Sequence, residues 1–139
     1  MRRDSATGAS NAARSDESAE RALVSVVDDD ASVRESLPDL LRVLGYEVEA
    51  FSSAEEFLMS GHTRSRCLIL DITMPGMSGP ELFRELRRRR QAIPVVFITG
   101  MRDGTIRSRV IEQGAVDCLF KPFSETTLHE AIKAAFEKN

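Results

Sequence analysis

Ala22-Leu23-Val24-Ser25-Val26-Val27 runs directly into Asp28-Asp29-Asp30. The first six residues are short, apolar and rich in β-branched side chains, the pattern of a strand covered on both faces. A strand that stops at three carboxylates places concentrated negative charge at its C-terminal end. Downstream the apolar run recurs in alternation with helical spacing. Val33, Leu37, Leu40, Leu41 and Leu44 recur at helical intervals before Gly45, a natural C-cap, with Pro38 expected to kink the middle. Residues 46–51 read as a second strand, and Ser52 or Ser53 can cap a short helix that carries Phe57 and Leu58 and stops at Gly61. Residues 67–70 read as the third strand, Met74-Pro75-Gly76-Met77-Ser78-Gly79 as a turn, and Leu82, Phe83 and Leu86 mark a third helix. Residues 94–99 form a fourth strand, and Ile106, Val110 and Ile111 a fourth helix ending at Gly114. Residues 116–120 form a fifth strand, followed by a helix with Leu128, Ile132, Ala135 and Phe136. Five βα units in series, joined by short right-handed connections, make a parallel sheet with helices on both faces: a doubly wound α/β fold.

The 139 residues fit one domain, and 42% apolar with 29% charged residues is ordinary globular composition. Residues 1–20 contain no Val, Ile, Leu, Phe, Tyr or Trp. They are expected to form a flexible tail ahead of a domain over residues 21–139, because such a segment buries too little surface to offset its ordering entropy. Nineteen Lys and Arg against 22 Asp and Glu leave a charge of −3, without the positive field of a nucleic-acid binder. No direct nucleic-acid contact is expected of the chain. There is neither a membrane-length apolar run nor a signal-peptide core, which leads to the expectation of a cytoplasmic, membrane-free protein. Cys67 and Cys118 lie in apolar segments without metal-ligand spacing and read as buried free thiols.

In an open parallel sheet the ligand site lies beyond the C-terminal strand ends, near the reversal of strand order. The chemistry-bearing residues there are Asp28 and Asp29 after strand one, Asp71 after strand three, Thr99 after strand four and Lys121 after strand five. Clustered carboxylates repel one another and are relieved by a cation. A small all-oxygen ligand set suits Mg²⁺, whose coordination is usually completed by water and phosphate oxygens. Thr99 and Lys121 suit the remaining oxygens of a phosphoryl group, which leaves Asp71, on the central strand, as the nucleophile.

The combination of Val26-Val27-Asp28-Asp29-Asp30, Leu68-Ile69-Leu70-Asp71 with Met74-Pro75 and Ser78-Gly79, Ile98-Thr99-Gly100, and Lys121-Pro122-Phe123 resembles the receiver domain of two-component response regulators. The resemblance covers roughly residues 21–138. It implies a flavodoxin-like (βα)5 fold with strand order 2-1-3-4-5. It also implies that Asp71 accepts a phosphoryl group from a sensor histidine kinase or phosphotransfer protein. Asp28, Asp29, Asp71 and the Thr73 backbone carbonyl would bind Mg²⁺, Thr99 and Lys121 would contact the phosphoryl group, and the Lys121-Pro122 bond would be cis. The chain would then be a switch with only self-phosphorylation and self-dephosphorylation activity. Its output face, helix 4, strand 5 and helix 5, would support homodimerisation on phosphorylation. In receivers the positions that reach the hydrolytic water lie two residues after the phosphoacceptor and two after the switch hydroxyl, here Thr73 and Met101. Gly114-Ala115-Val116-Asp117 and Thr99-Gly100 are similar to receivers that precede helix-turn-helix output domains. The chain reaches Asn139, far enough for a fifth helix, as in a stand-alone receiver or the front piece of a longer regulator.

One position departs from that pattern: three residues before Lys121 stands Cys118, where receivers usually carry a Tyr or Phe that relays phosphorylation. The rival enzymatic reading, an aspartyl-phosphate phosphatase of haloacid dehalogenase type, wants an Asp two residues after the nucleophile, where Thr73 stands. A flavodoxin-type electron carrier wants a hydroxyl- or Gly-rich phosphate loop after strand one, where Asp28-Asp29-Asp30 would repel the phosphate. Outside the site, Asp30 reads as a helix-start residue, Asp117 as a loop residue, and His62 and His129 as surface residues. Arg87 to Arg90 read as cations offsetting a helix C-terminus, with Glu81 and Glu85 ahead of them.

Overall fold

A computed structural model of the chain describes residues 22–61 and 64–138. The elements are β1 (Leu23–Val27), α1 (Ala31–Val43), β2 (Glu47–Phe51), α2 (Ala54–Ser60), β3 (Cys67–Asp71), α3 (Gly79–Arg88), β4 (Val95–Thr99), α4 (Gly104–Glu112), β5 (Asp117–Phe120) and α5 (Glu125–Glu137). All strand pairs are parallel and the order is β2-β1-β3-β4-β5. The doubly wound architecture expected from the sequence is thus the observed one. The chain switches direction of winding at β1, so the crevice between the ends of β1 and β3 is the place where the fold opens.

Side chains alternate across a strand with period two, and the three central strands use both faces. Leu68, Leu70, Val95 and Phe97 point to a core shared with Phe57 of α2, Leu82, Phe83 and Leu86 of α3, and Val110 of α4. Cys67, Ile69, Val96 and Ile98 point to a second core with Leu37 and Leu41 of α1 and Leu128, Ile132 and Ala135 of α5. Apart from Ser25 of β1, whose hydroxyl pairs with that of Ser65, both cores are apolar along the strands, so the charged groups cluster where the strands end. Leu70 faces Phe97 and Asp71 faces Ile98 in the β3–β4 register, which makes Asp71 the last paired residue of the central strand.

The helices start where short polar side chains cap them. Asp30, as expected, is the N-cap of α1 and accepts from the Ser32 N–H, and Ser53 rather than Ser52 caps α2. Ser78 and Glu81 form a reciprocal capping box on α3, a device that contributes about 1 kcal/mol. Glu81 is therefore engaged at the helix start, and Glu85 alone pairs with Arg88 and Arg89. Arg87 lies over the Phe83 ring. α1 continues through Pro38, which is buried, and ends with Gly45 N–H on the Arg42 carbonyl and Tyr46 N–H on the Leu41 carbonyl. Two expectations change. Asp117 opens β5 rather than lying in a loop, because it accepts from Arg107 and from the Cys118 N–H. His129 is half-buried, edge-on to Tyr46, not free on the surface. The expected tail, His62 and Asn139 lie outside the described residues. Cys67 and Cys118 are both buried and free.

Candidate functional site

The β1 end places Asp28 with no exposed surface at all, and a buried carboxylate persists only when its lone pairs are used. One oxygen, Oδ1, accepts from the Asp30 N–H at 2.9 Å, and the other, Oδ2, accepts from Lys121 Nζ at 3.0 Å. The Asp28 backbone is equally engaged: its N–H donates to the Phe51 carbonyl, and its carbonyl accepts from Arg34 Nη1 at 2.8 Å. Arg34 gave no signal in the sequence, since nothing in an amphipathic helix marks one arginine as reaching back to the preceding strand end.

Asp71 lies across the crevice, 6% exposed, with Lys121 Nζ at 3.7 Å. Carboxylate oxygens of Asp28, Asp29 and Asp71 all lie within 4.8 Å of one another. Burial pushes the Asp71 carboxyl up to about 7, the charge of Asp28 adds to this, and Lys121 opposes it. Burial acts against the Lys121 ammonium, but its hydrogen bond to Asp28 and the charge of Asp71 outweigh that and raise its pKa. Asp29 is exposed and faces solvent beside the pair. The sequence-derived residues Asp28, Asp29, Asp71 and Lys121 are therefore brought together at one strand-end crevice.

Thr99 ends β4, fully buried, and its hydroxyl accepts from the Met101 N–H at 3.1 Å. The Met101 side chain is 51% exposed, and the Thr73 side chain, in the loop after Asp71, is exposed too. That loop is drawn tight at its base: the Gly79 N–H donates to the Ile72 carbonyl at 3.0 Å. A Cβ at position 79 would collide with the Asp71 carbonyl oxygen, so only glycine lets α3 start this close to the end of β3. The Lys121-Pro122 peptide is cis, as the resemblance implied. Glu55, on α2, also touches this loop through the Met77 N–H, a contact across 22 residues of chain that no local pattern announces.

An all-oxygen donor set of this size fits one small hard cation, which relieves the mutual repulsion of the three carboxylates. Position 73 offers a hydroxyl, where the rival phosphatase pattern has an aspartate. On the far side of β5, Cys118 occupies the position of the expected aromatic and is buried, which pushes its thiol up to about 11. A groove of about 460 Å³ opens over it, lined by Arg102, Arg107, Phe120, Phe123 and Thr127.

Residues 24–133 match the family described as response regulator receiver domain. Nodulation protein W of Bradyrhizobium diazoefficiens is 44% identical over 124 residues, covering 88% of this chain and 55% of that protein. Transcriptional regulatory protein FixJ of Rhizobium meliloti is 41% identical over 115 residues, covering 82% of this chain and 56% of that protein. Among solved structures, the response regulator StyR has a TM-score of 0.79 at 45% identity, covering 86% of this chain and 61% of that one. The structure described as FixJ-N has a TM-score of 0.78 at 38% identity, covering 85% and 95%. The chain spans about half the length of the curated relatives it matches. With the strand order, the strand-end carboxylates and these matches in agreement, the chain belongs to the response regulator receiver domain family, whose members are phosphorylatable signalling switches.

Proposed function

We propose that Asp71 is the phosphoacceptor of this switch and takes its phosphoryl group from a phosphohistidine on a sensor kinase or phosphotransfer protein, in a Mg²⁺-dependent reaction. The observation that carries this reading is the crevice itself: Asp71 ends the central strand with the Asp28 and Asp29 oxygens within 4.8 Å and the Lys121 ammonium at 3.7 Å. An Asp71 oxygen attacks phosphorus, the new O–P bond forms as the donor's N–P bond breaks, and the imidazole keeps the electron pair and takes a proton from solvent.

Asp28, Asp29, Asp71 and the Thr73 carbonyl would hold the cation, and when bound it neutralises charge on the carboxylates and the incoming phosphoryl oxygens. Lys121 is pre-oriented by Asp28 and needs only to shift toward Asp71 to meet a phosphoryl oxygen. The Thr99 hydroxyl, which already accepts from Met101, has its own proton free to donate. Water later attacks the acyl phosphate, so the switch resets itself and does not turn over external esters. Within a receiver unit at 21–139 after a tail at 1–20, the added charge of about two units is read out through α4, β5 and α5 and favours a homodimer. A cytoplasmic location goes with this reading, and the relatives' names point to control of transcription.

The test is incubation with acetyl phosphate and Mg²⁺ followed by intact mass. The protein is expected to gain one phosphate, and Asp71→Asn is expected to gain none, because an amide is not a comparable nucleophile. Undiminished labelling of the variant would assign the phosphate elsewhere.

A further inference from the structure

The loop between β3 and α3, residues 72–78, carries Thr73 and follows Asp71 directly, so its position sets the geometry of the site. Two anchors hold it near its base: the Gly79 to Ile72 hydrogen bond and the buried Met74 side chain. At its far end, Gly76-Met77, the half-buried Met77 side chain packs against the apolar core and its N–H donates to Glu55 Oε2 at 3.0 Å. Gly76 has φ +75°, and a Cβ on it would stand 2.9 Å from the same Oε2. The turn therefore presents bare backbone to a carboxylate on another helix.

The neighbouring glutamates of α2 divide two tasks. Glu56 is spent locally: its carboxylate accepts from the Ser52 N–H and hydroxyl, and its N–H donates to the Ser53 cap. Glu55 makes no contribution to that cap and reaches across to the loop instead. Its position in the first turn of α2 suits a negative charge, because the helix dipole is positive there. A hydrogen bond from a backbone N–H to a carboxylate is of the charge-assisted, stronger kind.

We propose that Glu55 is a positioning residue for the phosphoryl-transfer site: by fixing Met77 it holds the β3–α3 loop, and with it the Thr73 carbonyl and Asp71, in the arrangement that receives the divalent cation. This rests on the phosphoacceptor reading above. Residues that orient a ligand from behind typically change metal affinity about tenfold or more when removed. An exposed tether on a loop that the Gly79–Ile72 bond, Met74 and the Met77 side chain also hold is expected to act at the lower end.

The measurement is the Mg²⁺ dissociation constant by calorimetry on the full chain, together with the acetyl phosphate labelling rate at limiting and at saturating Mg²⁺. Glu55→Ala is expected to raise the dissociation constant about three- to tenfold and to slow labelling by a similar factor at limiting Mg²⁺ only. Glu55→Gln, which keeps an oxygen acceptor of the same reach, should restore affinity to within about twofold. Gly76→Ala displaces the carboxylate from the opposite side and should weaken Mg²⁺ in the same sense. Glu56→Ala should lower the melting temperature through the lost cap while leaving Mg²⁺ affinity in place, which separates loop positioning from general loosening. An unchanged Mg²⁺ constant in Glu55→Ala, or a Glu55→Gln as impaired as the alanine, overturns the positioning role. If the parent protein itself neither binds Mg²⁺ nor gains phosphate, the phosphoacceptor reading falls first and this role falls with it.

Discussion

Asp28 and Asp71 are the same side chain at adjacent strand ends, yet their surroundings separate their tasks. Asp28 has both oxygens committed, to the Asp30 N–H and the Lys121 ammonium. Asp71 has its cation a further 0.7 Å away (3.7 against 3.0 Å) and carries the cost of burial beside a second carboxylate. Under the proposed function, this less compensated group is the one that forms the new bond to phosphorus. The lifetime of that bond depends on the two side chains able to orient the hydrolytic water. Thr73 offers a short hydroxyl, and Met101 a half-exposed thioether that accepts hydrogen bonds poorly, so neither orients that water well. A long-lived phosphoprotein is expected. Thr73→Asn combined with Met101→Glu should release phosphate several-fold faster, on the order of 1 kcal/mol in the barrier, measured after donor removal at constant Mg²⁺. A double variant no faster than the parent would reject this account.

At the scale of elements, α4 is the lightly anchored one: within it Val110 alone is buried. Arg107 ties it to β5 by donating to the Asp117 carboxylate at 2.8 Å and to the Cys118 carbonyl at 3.2 Å. Under the proposed function, with Cys118 where the resemblance puts an aromatic, coupling of phosphorylation to α4 should be altered. Cys118→Tyr should leave phosphate uptake within about twofold of the parent, since the thiol lies away from the carboxylates. It should change phosphorylation-dependent dimerisation, followed by sedimentation with and without phosphodonor. The same dimerisation response in both forms would remove position 118 from the relay.

For the whole molecule, the three carboxylates at one strand-end crevice are a standing electrostatic cost that a cation lifts. A ligand bound only by the folded state, at ten times its dissociation constant, stabilises by about 1.4 kcal/mol. Mg²⁺ should therefore raise the melting temperature by roughly 3–6 °C for a domain of this size, and Asp29→Ala should remove most of the gain. The pH dependence has a definite sign. Asp71 is raised from 3.8 to about 7 on folding, so the folded state holds its proton more tightly than the unfolded chain does. That contribution is complete below pH about 4 and is lost as pH rises through about 7. In metal-free buffer the parent should lose stability progressively as pH rises from about 4 to about 7 and little beyond, by a few kcal/mol at most, and Asp71→Asn should show a flatter profile over that window. A melting temperature indifferent to Mg²⁺ would count against the metal site. The described residues contain no helix long and apolar enough to cross a membrane.

The three central strands were legible because they are short apolar runs buried on both faces, and the helices because Leu37, Leu41, Leu82, Leu86, Leu128 and Ile132 fall at helical spacing; both signals are local. Parallel strands require crossovers, so the serial βα pattern also dictated that Asp28, Asp71, Thr99 and Lys121 would end at one sheet edge. What local pattern cannot carry is any bond whose partners are remote in the chain and whose geometry depends on how a helix seats. Glu55 meets Met77, Arg107 meets Asp117, and His129 lies against Tyr46 only once helices and strands have packed. The difference between Asp28 and Asp71 belongs to the same class. The sequence picked out Asp71 by its place on the central strand, but the different compensation of the two carboxylates, with Lys121 3.0 Å from Asp28 and 3.7 Å from Asp71, is visible only in the tertiary structure. Periodicity records which face of an element is buried, and so it determined the fold and the site's location. The tertiary structure decided the charge balance within the site, because electrostatic coupling depends on distances between groups that the chain brings together only by folding.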